Sequence, residues 1–163
     1  EDEMLLTPDR NLAMYAASQT GKKIHIWDGY CPTHEWLTPD DVTEARAKHP
    51  NAVFIAHPEC RPEVVRMADV VASTSGMLRH VAQVDEKEFI IGTELGLIYP
   101  MQKANPDKVF HPASEKMTCR NMKKISVEDV LKSLETMTPE VKVPEQIRVP
   151  ALKAVQAMID LNI

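Results

Sequence analysis

The strongest constraint on this chain is an alternation, sustained over most of its length, of short β-branched apolar runs with longer amphipathic stretches. "KIHIW" at 23–27, "AVFIAH" at 52–57, "DVVAS" at 69–73, "EFIIGT" at 88–93 and "KVFHPA" at 108–113 read as strands. Residues 9–18, 38–49, 61–68, 75–84, 94–104 and 126–137 read as helices. Two helix starts are explicit: Thr38 as N-cap with Pro39, Asp40 and Asp41 behind it, and Ser126 with Asp129 three residues on. The opening "EDEMLL" reads as leading straight into a helix-like segment, and "TPEVKVPEQIRVP" at 138–150 as a proline-spaced connector. The tail helix carries an apolar stripe, Leu152, Val155 and Ile159, that needs a partner surface, so self-association or poor solubility of the chain alone is expected. Continuous apolar strands alternating with helices imply βαβ units and a buried parallel sheet, so the fold class expected is α/β.

In such a sheet every strand-to-helix joint falls on one edge, and ligands bind there. The joints read "DGYCPTH", "HPEC", "STSG", "TELG" and "PASEKMTC", and they gather cysteine, histidine, glutamate and small hydroxyls. "STSG" opens a helix, where free backbone N–H groups together with the Ser73 and Thr74 hydroxyls suit a phosphate or carboxylate. A plain N-cap is the other reading. "HPEC" places His57 and Glu59 two residues apart, on one side if the strand continues, able to move protons or hold a polar substrate. They could equally satisfy buried backbone groups. His25, His49, His80 and His111 carry less information: His25 is expected within a strand, His49 at a helix end, His80 on a helix surface, and His111 in a structural role or lining the edge. Met14, Met67, Met77, Met101 and Met137 are expected as core filler.

Cys31, Cys60 and Cys119 are an odd set at irregular spacing, matching no CxxC pattern. No basic n-region precedes an apolar run, so a cytoplasmic location with reduced thiols is expected. A formal net charge of −5 speaks against nucleic acid as partner. No apolar stretch approaches bilayer length, so no membrane partner is expected.

With Cys31, His57-Pro58-Glu59-Cys60, Ser73-Thr74, "PDRNLA", "GTELGL" and "MTCRNMKKI" in view, the chain resembles the quinolinate synthase family along essentially its whole length. The resemblance implies condensation of iminoaspartate with dihydroxyacetone phosphate to quinolinate, with loss of phosphate and water. It implies a [4Fe–4S] cluster on three cysteines with one iron open as Lewis acid, and aspartate oxidase or dehydrogenase as upstream supplier. Its architecture is three αβα lobes about a pseudo-threefold axis, each giving one cysteine. Carried over, Cys31 and Cys119 are cluster ligands, and Cys60 is a site-loop residue that does not bind iron. His57 and Glu59 contact substrate and move protons, while Ser73 and Thr74 hold a phosphate or carboxylate. Ala72 stands where the family has glycine, which puts the anion's approach in question. The expected division is 1–30 as the remainder of a second lobe, 31–118 as a third, and 119–163 as a ligand loop and returning helices. On that basis a first lobe with the remaining ligand lies outside this chain, which alone should be inactive. Two alternatives stand beside this one: a cluster-free α/β module binding a phosphorylated or dicarboxylate metabolite, and a zinc hydrolase using Cys31, Cys60 and His34 or His57.

Overall fold

The computed structural model describes residues 2–161 and divides the chain into two units, the first ending at Arg120 and the second starting at Asn121. The first unit opens with a parallel strand pair, β1 (Glu3–Leu6) and β2 (Lys23–Ile26), joined through helix α1 (Arg10–Ser18). The helix expected over 9–18 is α1, and β1 ahead of it is a strand that the pattern did not show. Four residues carry too short a pattern to show a period, and pairing with β2 decides their conformation.

The main sheet holds β3 (Val53–Ala56), β4 (Val70–Val71), β5 (Glu88–Gly92) and β6 (Val109–Pro112), all parallel, in the order β4-β3-β5-β6. The intervening helices are α2 (Pro32–Glu35), α3 (Pro39–Lys48), α4 (Pro62–Val65), α5 (Thr74–Gln83) and α6 (Ile98–Ala104), the last entered through a 3₁₀ turn at Leu95–Leu97. α2 is a helical turn within a stretch expected to be loop. The capping box at Thr38 and Asp41 forms as its spacing suggested.

Side-chain alternation gives the sheet a core on each face. Phe54, Ala56 and Ile90 pack with Val42 of α3 and Val64 of α4 on one side. Ile55, Phe89 and Ile91 pack with Met77 and Val81 of α5 and Met101 of α6 on the other. Burying each Phe, Ile or Met fully contributes roughly 1.5–3 kcal/mol. Met77 and Met101 take the core positions expected of them, but Met14 is 38% and Met137 80% exposed, whereas Met117, not anticipated, is fully buried.

In the second unit, α7 (Val127–Thr136) starts with a complete Ser126–Asp129 capping box. α8 (Glu145–Asp160) begins inside the segment read as a connector. Pro144 caps it, and Pro150 falls early enough to cost a single backbone bond near the helix start. No side chain of α7 or α8 is buried, and the stripe of Leu152, Val155 and Ile159 stands about half exposed. Among the described residues, no helix is long and apolar enough to cross a membrane.

Candidate functional site

The chain leaves β3 toward β4 on one side and returns to β5 on the other, so the strand order reverses between β3 and β5. The two connections diverge at the carboxyl ends of β3 and β5, the position where open α/β sheets hold ligands. His57 follows β3 and Thr93 follows β5; the His57 N–H donates to the Gly92 carbonyl at 3.0 Å, which closes the two strand ends together. Gly92 permits this approach, since a Cβ there would lie 2.9 Å from the Phe54 ring.

The "GYCPTH" loop is held beside these strand ends, where its His34 reaches Thr93. A Cβ on Gly29 would lie 2.4 Å from the Pro8 carbonyl oxygen, so only glycine lets the loop press so near. Asp9, 2% exposed, accepts from the Leu12 N–H as N-cap of α1 and from the Cys31 N–H, both at 2.8 Å. One carboxylate thus starts a helix and fixes the cysteine's backbone. Pro32 then begins α2, whose single turn carries His34 inward.

His34 and His57 stack with ring centroids 4.4 Å apart. His34 Nε2 lies 2.9 Å from Thr93 Oγ1, and its Nδ1 lies 3.0 Å from Glu59 Oε2. The second contact is close, but it does not make a regular hydrogen bond to that nitrogen. The strand ends at Ala56, so alternation does not pair His57 with Glu59; a turn does, with the Glu59 N–H donating to His57 Nδ1 at 3.2 Å. That bond leaves the proton of neutral His57 on Nε2. Burial, with the His34 ring beside it, pushes the His57 pKa down to about 4. Glu59 is held below the ordinary carboxylate range, chiefly by His34, against the opposing effect of burial. At neutral pH the pair is therefore an N–H donor beside an anion.

A ligand atom each from Cys31, His34 and Glu59 lies within 4.8 Å of the others. Cys119 reaches the same β5 loop by another route. Glu94 accepts from the Cys119 N–H at 3.3 Å through one oxygen and from the Gly96 N–H at 2.7 Å through the other. Adjacent residues Thr93 and Glu94 thus tie down the segments bearing His34 and Cys119. Cys60 differs from both. It is fully buried, its thiol donates to the Gly92 carbonyl at 3.4 Å, and burial pushes its pKa up to about 12. Such a thiol packs as a small apolar group. Ser73 caps α5 through the Gly76 N–H and, like Thr74, is exposed.

Residues 1–160 match the family described as quinolinate synthetase A protein. The chain belongs to the quinolinate synthase family. The quinolinate synthase of Geotalea uraniireducens is 53% identical over 159 residues, covering 98% of this chain and 52% of that protein. Quinolinate synthase 1 of Methanosarcina acetivorans is 48% identical over 162 residues, covering 99% of this chain and 53% of that protein. The quinolinate synthase of Thermodesulfovibrio yellowstonii is 47% identical over 159 residues, covering 97% and 52%. The chain therefore spans about half the length of these relatives.

For a quinolinate synthase chain of this kind, sequence reasoning overlooked the supports of the site: Asp9, Asn11 and Thr93. Asn11, 4% exposed, donates to Glu35 Oε2 at 3.0 Å and to the Glu59 carbonyl at 3.1 Å, joining α1 to both site loops. Arg10 beside it reaches Glu35 and Asp28. The available signal was "PDRN" itself, a run of polar residues just ahead of an apolar helix, too many for one N-cap to use.

Proposed function

We propose that this chain supplies two cluster thiolates and the proton-handling pair of a quinolinate synthase, joining iminoaspartate to dihydroxyacetone phosphate with loss of phosphate and water. The observation that carries this reading is Cys31, His34 and Glu59 meeting at the switch point, with Cys119 anchored to the same β5 loop. The donor chemistry fits a [4Fe–4S] cluster in part: Cys31 and Cys119 are half-buried thiols outside any disulfide, and Cys60 is committed to packing. A further thiolate would come from outside these residues, consistent with a lobe arrangement in which 1–30, 31–118 and 119–163 belong to successive parts of a pseudo-threefold molecule. When bound, the cluster would supply a Lewis-acidic iron for the dehydration.

The chain's own groups have defined tasks. His57 Nε2–H donates to a developing oxyanion without itself becoming charged, because its basicity is suppressed. Glu59, anionic at neutral pH, takes a proton from substrate carbon or nitrogen. Ser73 and Thr74, at the start of α5, bind the phosphate or a carboxylate through hydroxyl and N–H groups. An enzyme oxidising the amino acid to its imine must supply the labile substrate.

The test joins this chain to the remaining half of the Geotalea uraniireducens relative, purified and reconstituted without oxygen. Iron and sulfide in cubane proportion, with quinolinate formed from the two substrates, are expected. Stoichiometric zinc without sulfide would sink the reading, as would a cluster that survives Cys31→Ala and Cys119→Ala together.

A further inference from the structure

The first unit holds another imidazole–carboxylate cluster, away from the cysteine-bearing edge. His49 is the C-cap of α3, Glu88 is the first residue of β5, and His111 lies in β6 opposite Ile90. Alternation puts Glu88, Ile90 and His111 on the sheet face that α3 covers, and the end of α3 brings His49 over them. Glu88 Oε1 lies 3.0 Å from His111 Nε2 and 3.3 Å from His49 Nδ1. The two rings stack at 3.5 Å, 13° from parallel. All three side chains are partly exposed, between 23% and 36%.

We propose that His49, Glu88 and His111 form a thiolate-free site for a divalent transition-metal ion of the zinc type. Three features carry this. The donor set, two imidazoles and one carboxylate, is one that zinc takes with an open fourth position. Its spacing is close to that of a bound ion, because tetrahedral donors at zinc distances stand about 3.4 Å apart, and the three ligand atoms here lie within 4.8 Å of one another. There is also an entry path. A cavity of about 300 Å³ is lined by both histidines and by Glu44, Lys48 and Glu115, leaving room for the ion, its water and a small anion.

The competing account is a hydrogen-bonded trio in which one carboxylate oxygen serves both rings. In that account Glu88 Oε1 is the one acceptor shared by His111 Nε2 and His49 Nδ1, with the two rings stacked face to face. A cation satisfies all three donors together. The parallel rings must splay for their lone pairs to converge, and the cavity beside them leaves space for that.

The experiment uses the full chain carrying Cys31→Ala and Cys119→Ala, so that the thiols of the proposed cluster site are absent and either idea can fail alone. Cobalt(II) is titrated and followed by visible absorption. One equivalent is expected, giving ligand-field bands without a sulfur-to-cobalt charge-transfer band, and zinc should displace it. His49→Ala and His111→Ala should each weaken binding at least tenfold with the circular dichroism spectrum unchanged. His49→Gln and His111→Gln repeat the test at closer volume should either alanine variant unfold. No cobalt binding, a sulfur band, or undiminished binding in the folded histidine variants would overturn the proposal.

Discussion

Two clusters in the same α/β unit are made of the same parts, a pair of stacked imidazoles and a glutamate, and their surroundings set them apart. His34, His57 and Glu59 sit where the strand order reverses, with a cysteine beside them and a buried aspartate beneath the loop that carries it. His49, Glu88 and His111 sit where β5 begins, open to a cavity, with no cysteine among the grouped ligands. The first set is drier: the side chains of His34 and His57 are 9% and 12% exposed, against 28% and 23% for His49 and His111. Equal chemistry at unequal burial means unequal access to water and ligand. The comparison separates what residue type contributes from what position contributes.

Function should break the comparison most sharply. In the joined protein, Glu59→Gln should lower the rate of quinolinate formation by about 10²-fold or more, the usual loss when a placed proton acceptor is removed. Glu88→Gln should leave that rate within about twofold, because it lies away from the loops that would meet substrate. Steady-state assays of the two variants, side by side, decide it; equal losses would mean that the switch-point cluster has no special place in the chemistry.

Acid should expose the dry cluster. The His57 pKa is about 4 in the folded chain, against about 6.5 when unfolded. Above about pH 6.5 both states leave it neutral and it adds nothing to stability. As pH falls from about 6.5 to about 4, the unfolded chain takes up a proton that the folded chain refuses, so stability drops. Below that the loss levels off, at no more than about 3 kcal/mol. Glu59 acts in the same direction at lower pH: its depressed pKa gives stability above the ordinary carboxylate value that is lost as pH falls through the folded one. Urea midpoints across this range should slope for the native chain and flatten for His57→Gln. An unchanged slope in that variant would place the titration elsewhere.

Asp9 distinguishes the clusters by their supports. Its removal orphans the Cys31 N–H and uncaps α1 at once. Asp9→Ala should therefore cost about 2–3 kcal/mol, roughly one for the cap and the rest for the unpaired amide. A urea titration measures it, and a cost below that of a cap alone would show that the loop is not held through this carboxylate.

These supports also mark where the sequence was legible. β3 and most of β5 were readable because runs buried on both faces are continuously apolar, and the helix starts at Thr38 and Ser126 because their caps are local. The joints at the carboxyl edge followed from the α/β class alone. β1 was not legible, since four residues become a strand only by pairing with β2. The helical start at Glu145 was hidden by Pro144 and Pro150, which flank and interrupt the first turns and read as loop. His49 and His111 look unremarkable because they lie 62 positions apart in sequence, and only the register of β5 with β6 and the end of α3 bring them together. His34 was visible as a histidine near a cysteine, but its contact with Thr93 spans 59 positions and needs the fold to exist first.

The smallest effect should come from the wetter cluster in metal-free protein. Glu88 is 36% exposed and pairs with two half-buried imidazoles, so water can replace much of what it provides. Pairs this open contribute under about 1 kcal/mol, and Glu88→Gln should shift the metal-free urea midpoint no further than that. With zinc present the same substitution should cost more, because the ion stabilises only the folded state and its loss is felt in full. The difference between the two midpoints, with and without zinc, isolates the metal's share. If Glu88→Gln is equally mild in both conditions, the second cluster is a hydrogen-bonded trio and no metal site.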